Sequence, residues 1–117
     1  MIGLDVVEVA RMERLLARTP EFARYFTAAE RSACASARRP AERWALCFAV
    51  KEALLKSLGT GVLGSIPLRD IEVSIGERGA VELVAHGEAR LALADRRAWA
   101  SAVVRAGKAW ATVVIER

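Results

Sequence analysis

The chain has 117 residues, which fits one domain of ordinary size. Its 54% apolar content excludes a disordered tail, and no apolar run approaches the roughly 18 residues that cross a bilayer. A net charge of +4 and a pI of about 9.7 suit nucleic acid, phosphate-rich ligands and acidic proteins alike. The seven aromatics (three Trp, three Phe, one Tyr) are scattered with no nucleic-acid-reading motif, so nucleic acid is not the expected partner.

The apolar excess is more than a small solvated monomer needs, which predicts an oligomer. The opening Met1-Ile2-Gly3-Leu4-Asp5 reaches a charge at once and does not read as a signal peptide, so a cytoplasmic protein without a membrane segment is expected. Cys34 and Cys47 make no metal-ligand spacing and could form at most one bridge; free thiols are expected. His86 is the sole histidine, with no partners for a zinc site or a triad.

In chain order, Ile2 to Val6 reads as an opening strand, turning helical from Val7 or Glu8. Val9, Met12, Leu15 and Leu16 then recur at helical spacing, with Arg11, Arg14 and Arg18 on another face. Thr19-Pro20 ends that helix. After a short segment from Glu21 to Phe26, Thr27-Ala28-Ala29-Glu30 forms a capping box that starts a short helix. The strongest helix runs from Ala41 to Leu58 and stops at Gly59. Ile71 to Ile75 and Val81 to Val84 alternate as a hairpin around Glu77-Arg78-Gly79. Glu88 to Arg97 reads as a helix. Trp99 to Val104 and Trp110 to Ile115 close the chain as a hairpin around Arg105-Ala106-Gly107-Lys108. The sum is a single α+β domain, an antiparallel sheet with one long central helix.

Three features carry candidate chemistry. Asp5 sits at the end of an apolar strand, where it suits a site or, equally on position, the N-terminal dipole of the next helix. Lys51, Glu52 and Lys56 lie in a helix that is apolar on nearly every side. Glu52 and Lys56 could be a plain i, i+4 ion pair. A lysine and a carboxylate together could also serve a phosphate and its Mg²⁺. Gly59-Thr60-Gly61 follows, either as a helix stop or as backbone open to a ligand.

Taken in order, these residues resemble the small, single-domain phosphopantetheinyl transferases known as holo-acyl-carrier-protein synthases. The resemblance rests on Gly3-Leu4-Asp5-Val6-Val7-Glu8, Phe26-Thr27-Ala28-Ala29-Glu30, the run from Phe48 to Gly61, and Leu68-Arg69-Asp70-Ile71-Glu72-Val73. It implies that a phosphopantetheinyl transferase-like fold would bring Asp5 and Glu52 together to hold Mg²⁺ and catalyse transfer from coenzyme A. Lys51 and Lys56 would face cofactor phosphates, and Gly59, Thr60 and Gly61 would border the cofactor. Arg11, Arg14 and Arg18, with Phe22 and Arg24, would receive an acidic acyl carrier protein. A homotrimer with sites between subunits is implied too.

Three positions depart from the pattern. Cys47 stands where the family has arginine, Gly79-Ala80-Val81 where it has Gly-x-Pro, and Ser101-Ala102-Val103-Val104 where it has Ser-x-Ser-His. The resemblance implies that Ser101, which is kept, binds the cofactor, and Arg105 is a candidate cofactor-binding replacement for the lost positive charge. The alternative reading is a non-catalytic relative that binds a carrier protein or assembles with an active transferase.

Overall fold

A computed structural model describes residues 1–59 and 65–116. Strand β1 (Ile2–Glu8) leads into helix α1 (Val9–Arg18), and a 3-10 turn (Pro20–Tyr25) leads into helix α2 (Ala28–Ala35). The long helix α3 (Pro40–Leu58) follows, then a second 3-10 turn (Leu68–Asp70) and the hairpin β2 (Ile71–Ile75) and β3 (Val81–Ala85). Helix α4 (Gly87–Leu93) and the hairpin β4 (Ala98–Arg105) and β5 (Lys108–Ile115) complete the chain. The strands form two antiparallel sheets, β1-β5-β4 and β2-β3.

Strand β1 extends to Glu8, past the expected turn to helix, because β5 pairs with every residue from Ile2 to Glu8. Asp5 is therefore a mid-strand residue, not a carboxylate at a helix N-terminus. The two-residue turn Ala106-Gly107 has φ of +55° and +74°, the sign that matches the twist of a tight hairpin. Helix α4 stops at Leu93, short of the expected Arg97. Ala94 turns to φ +56°, and Arg96 folds back to donate to the carbonyls of Ala92 and Leu93 at 2.6 and 3.1 Å.

Helix α3 lies against the inner face of the three-stranded sheet. The approach is close because both surfaces are built from small residues: Ala45, Ala49 and Ala53 on the helix, Ala109 and Ala111 on β5, all buried. At Gly3 it is closest. A Cβ there would fall 1.9 Å from the Ala53 carbonyl oxygen, so the strand and helix could not meet with any other residue.

The other face of this sheet carries apolar residues that nothing covers among the described residues. Cross-strand register places Ile2, Val114 and Trp99 in one row, Leu4, Thr112 and Ser101 in the next, and Val6, Trp110 and Val103 in a third. Ile2, Leu4, Trp99 and Val103 are each more than half exposed, at 66, 63, 54 and 56%. A fourth row, Glu8, Lys108 and Arg105, is charged.

Candidate active site on the central helix

Helix α3 carries Lys51 and Glu52 side by side, and adjacent helical residues point about 100° apart. The two therefore enter different surroundings. Lys51 turns toward α2 and β2 and is wholly buried. Its ammonium is 2.7 Å from Glu30 Oε1 and donates to the carbonyls of Leu68 and Ile71. It also sits 5.3 Å from the centre of the Phe26 ring. Burial pushes the Lys51 ammonium below its ordinary pKa, and the hydrogen bond and charge of Glu30 pull it back.

Glu30 is equally sealed. Its Oε1 accepts from the Thr27 backbone N–H at 2.8 Å, closing the expected capping box, and its Oε2 accepts from the Val73 N–H at 2.8 Å. A single carboxylate thus joins α2, α3 and β2. The placement corrects the expectation that Lys51 faces a cofactor phosphate, since its ammonium is committed to protein acceptors and no water reaches it. Sequence reasoning read Glu30 as a cap and a motif residue, not as the partner of Lys51; a lysine inside an apolar helix, which needs a counter-ion, was the available signal.

Glu52 turns the other way, into a cleft of about 470 Å³ lined by Asp5, Val6, Val7, Glu8, Arg11, Met12, Leu15, Phe22, Phe48 and Glu52. Asp5 reaches this cleft from β1, and its Oδ1 accepts from Lys56 Nζ at 2.7 Å. The lysine pairs with Asp5 across the strand–helix junction, not with Glu52 along the helix. Half-buried Glu52 has its pKa raised, first by burial and then by the Asp5 carboxylate, with Lys56 opposing. Lys56 bonds Asp5 and only partly offsets the charge of Glu52, so further positive charge is electrostatically welcome.

The other expected residues divide. Arg11 lines the cleft from α1, while Arg14 and Arg18 are exposed on the same helix. Phe22 is half-buried: its ring packs 5.3 Å from Phe48 and 6.0 Å from Phe26, and its remaining edge borders the cleft. Arg24 is exposed beside a second cleft, lined with Tyr25 and residues 65–69. Gly59 ends α3 with φ +95°, a conformation that favours glycine, and its N–H donates to the Lys56 carbonyl. Thr60 and Gly61 lie outside the described residues.

Ser101 and Arg105 are not brought to the cleft of their own chain. Asp5 pairs with Ala111, which pairs with Ala102, so Asp5 and Ala102 share the inner face. Ser101, Val103 and Arg105 alternate onto the outer one. Cys47 is buried against Cys34, with the sulfurs 4.0 Å apart, and does not line the Asp5–Glu52 cleft.

Residues 1–114 match the family described as the 4'-phosphopantetheinyl transferase superfamily. The holo-[acyl-carrier-protein] synthase of Alkalilimnicola ehrlichii is 48% identical over 92 residues, covering 76% of this chain and 72% of that protein. The synthase of Syntrophotalea carbinolica is 39% identical over 120 residues, covering 98% and 94%. Among solved structures, Helicobacter pylori holo-[acyl-carrier-protein] synthase in complex with coenzyme A superposes with a TM-score of 0.82 at 28% identity, covering 99% of this chain and 100% of that one. The α+β fold is that of this solved structure, and the chain belongs to the 4'-phosphopantetheinyl transferase superfamily.

Proposed function

We propose that this protein transfers the 4'-phosphopantetheine group of coenzyme A to a serine of an acyl carrier protein, with Mg²⁺ held by Asp5 and Glu52. The observation that carries the reading is the cleft that Asp5 and Glu52 line together, with Lys56 paired to Asp5 at 2.7 Å. The Helicobacter pylori relative, solved with coenzyme A, supports the choice of donor.

The donor set fits the metal. Mg²⁺ takes hard oxygen ligands, commonly one or two carboxylates completed by water and substrate phosphate. Burial raises the Glu52 pKa first and repulsion from Asp5 adds to it; a cation between the two acids relieves the repulsion. When bound, the ion supplies charge neutralisation for the diphosphate of coenzyme A.

The chain's own residues do the remaining work. Lys56, half exposed at 49%, is free to exchange Asp5 for a phosphate oxygen, and Arg11 adds a second cation at the cleft wall. Glu52, with its pKa raised, is a competent acceptor for the serine proton. The serine oxygen forms a new bond to the phosphorus bearing pantetheine, and the bond from that phosphorus to the bridging oxygen breaks. Adenosine 3',5'-bisphosphate leaves with the bridging electrons. Phe22 and Phe48 keep one wall of the cleft dry. Arg14, Arg18 and Arg24, exposed nearby, give an acidic carrier protein a basic approach.

We further propose a homotrimer. The exposed apolar rows of the three-stranded sheet are the natural surface for it. Ser101 and Arg105 lie on that surface, so they serve the cleft of a neighbouring copy and not their own. A cytoplasmic location accords with these substrates. The test is mass spectrometry of an apo carrier protein incubated with this protein, coenzyme A and Mg²⁺. A phosphopantetheine adduct that a chelator abolishes is expected. No adduct on any carrier protein, together with retained carrier binding, would favour the non-catalytic alternative.

A further inference from the structure

The geometry points to Cys34 and Cys47 as an oxidation site that closes into an intramolecular disulfide and ties α2 to α3. The two residues are 13 apart in sequence and sit on different helices, yet their sulfurs lie 4.0 Å from each other. A disulfide of about 2.05 Å requires an approach of roughly 2 Å, within reach of side-chain rotation and a small helix shift. These are the two cysteines of the chain, so neither has another intramolecular partner.

The pair belongs to one seam. Glu30 and Cys34 are one turn apart on α2, and Cys47 and Lys51 are one turn apart on α3. The sulfur contact therefore stacks beside the Glu30–Lys51 ion pair and is aligned by it. Although buried, the seam has an entrance. Cys47 borders a cleft of about 180 Å³ together with Ala33, Arg43, Glu72 and Val84, ample for a molecule little larger than water. The two thiols are also unlike. The hydrogen bond with Cys47 lowers the Cys34 pKa, with Arg43 and Lys51 helping and burial opposing, whereas the same bond and burial push Cys47 up.

Hydrogen peroxide is the oxidant class that fits this entrance. Cys34 is fully buried behind Cys47, so peroxide passes Cys47 from the cleft to reach it. The Cys34 thiolate then attacks one peroxide oxygen, the O–O bond breaks, and water leaves once the departing oxygen is protonated. Cys34 is then a sulfenic acid. Cys47 gives up its proton and attacks Cys34 Sγ; hydroxide leaves and takes that proton as a second water. Two thiols and one peroxide become one disulfide and two waters, and an external dithiol reverses the step.

The experiment treats the folded protein with hydrogen peroxide, unfolds it in an alkylating reagent and weighs it. Both thiols are expected to escape alkylation together, in a single chain lighter by two hydrogens, and to return after dithiothreitol. In Cys47→Ser, Cys34 is expected to stop as a sulfenic acid that dimedone captures, an adduct nearly absent from wild type. The proposal is overturned if both wild-type cysteines still alkylate after peroxide, or if bridges form only between chains. Should Cys47→Ser fail to fold, the wild-type masses decide alone.

Discussion

On one side of α3, Glu30 and Lys51 are closed off from water, with every hydrogen-bonding position of the lysine filled by protein. On the other side the same residue types meet a cleft: Asp5 and Glu52 line it, and Lys56 pairs with Asp5. The sealed cluster has one negative and one positive charge; the open one, with Asp5, Glu8 and Glu52 against Arg11 and Lys56, has three negative and two positive. A sealed, balanced and fully bonded pair is structural, because a buried ion pair binds nothing further without losing what offsets its desolvation. An open cluster with a surplus of negative charge invites a cation. The difference shows that charge in an apolar helix does not itself mark a site; accessibility and imbalance do.

The comparison breaks most sharply at Glu52. Glu52→Gln keeps shape and removes the base, so transfer should fall by about 10²–10⁴-fold without loss of thermal stability. Near-normal turnover in that variant would return Glu52 to a structural role. Lys51→Met does the opposite: it strands Glu30 without its counter-ion, and unfolding free energy should drop by about 3–5 kcal/mol. Urea unfolding measures it. Glu30→Leu combined with Lys51→Met should recover much of the loss, whereas a wild-type midpoint for Lys51→Met with transfer abolished would make Lys51 a site residue after all.

A smaller effect is expected at Lys56. Its pair with Asp5 is half exposed on the lysine side, so Lys56→Met should cost no more than about 1 kcal/mol of stability. The loss should appear in coenzyme A affinity, roughly 10–100-fold for one charged contact, read by calorimetry. Unchanged affinity would leave Lys56 as a partner of Asp5 alone.

The smallest effect concerns pH. Because the folded pKa of Glu52 is raised, the folded state holds its proton more tightly than the unfolded chain does. Folding stability attributable to this group is then greatest in acid and declines as pH rises from the ordinary glutamate value of about 4.3 through the raised one. Relative to wild type, Glu52→Gln should melt higher at neutral pH and lose that advantage in acid. An advantage that persists unchanged in acid would show that the carboxylate is not strained by its surroundings.

Much of this was legible in the sequence, and the failures have physical causes. The elements followed from local signals: the Thr27–Glu30 box, the apolar run of α3, Gly59 and the Arg105–Lys108 turn. Asp5 and Glu52 were legible as a pair through the family resemblance, although 47 positions separate them. The fate of Lys51 was not, since it depends on α2 and β2 closing around it, contacts 20 or more residues away for Glu30 and Ile71. That Ser101 and Arg105 lie on the outer face was not legible, because both faces of β4 carry apolar residues. Alternation there separates two faces without saying which is inside. Gly3 gave no sign of its role, which exists only where the Ala53 carbonyl meets it.

The most direct test of the central claim is a calorimetric titration of Mg²⁺ into the protein saturated with coenzyme A. The account predicts one site per protomer in wild type, lost in Asp5→Asn and in Glu52→Gln while both remain folded. Wild-type Mg²⁺ binding in both variants would contradict it.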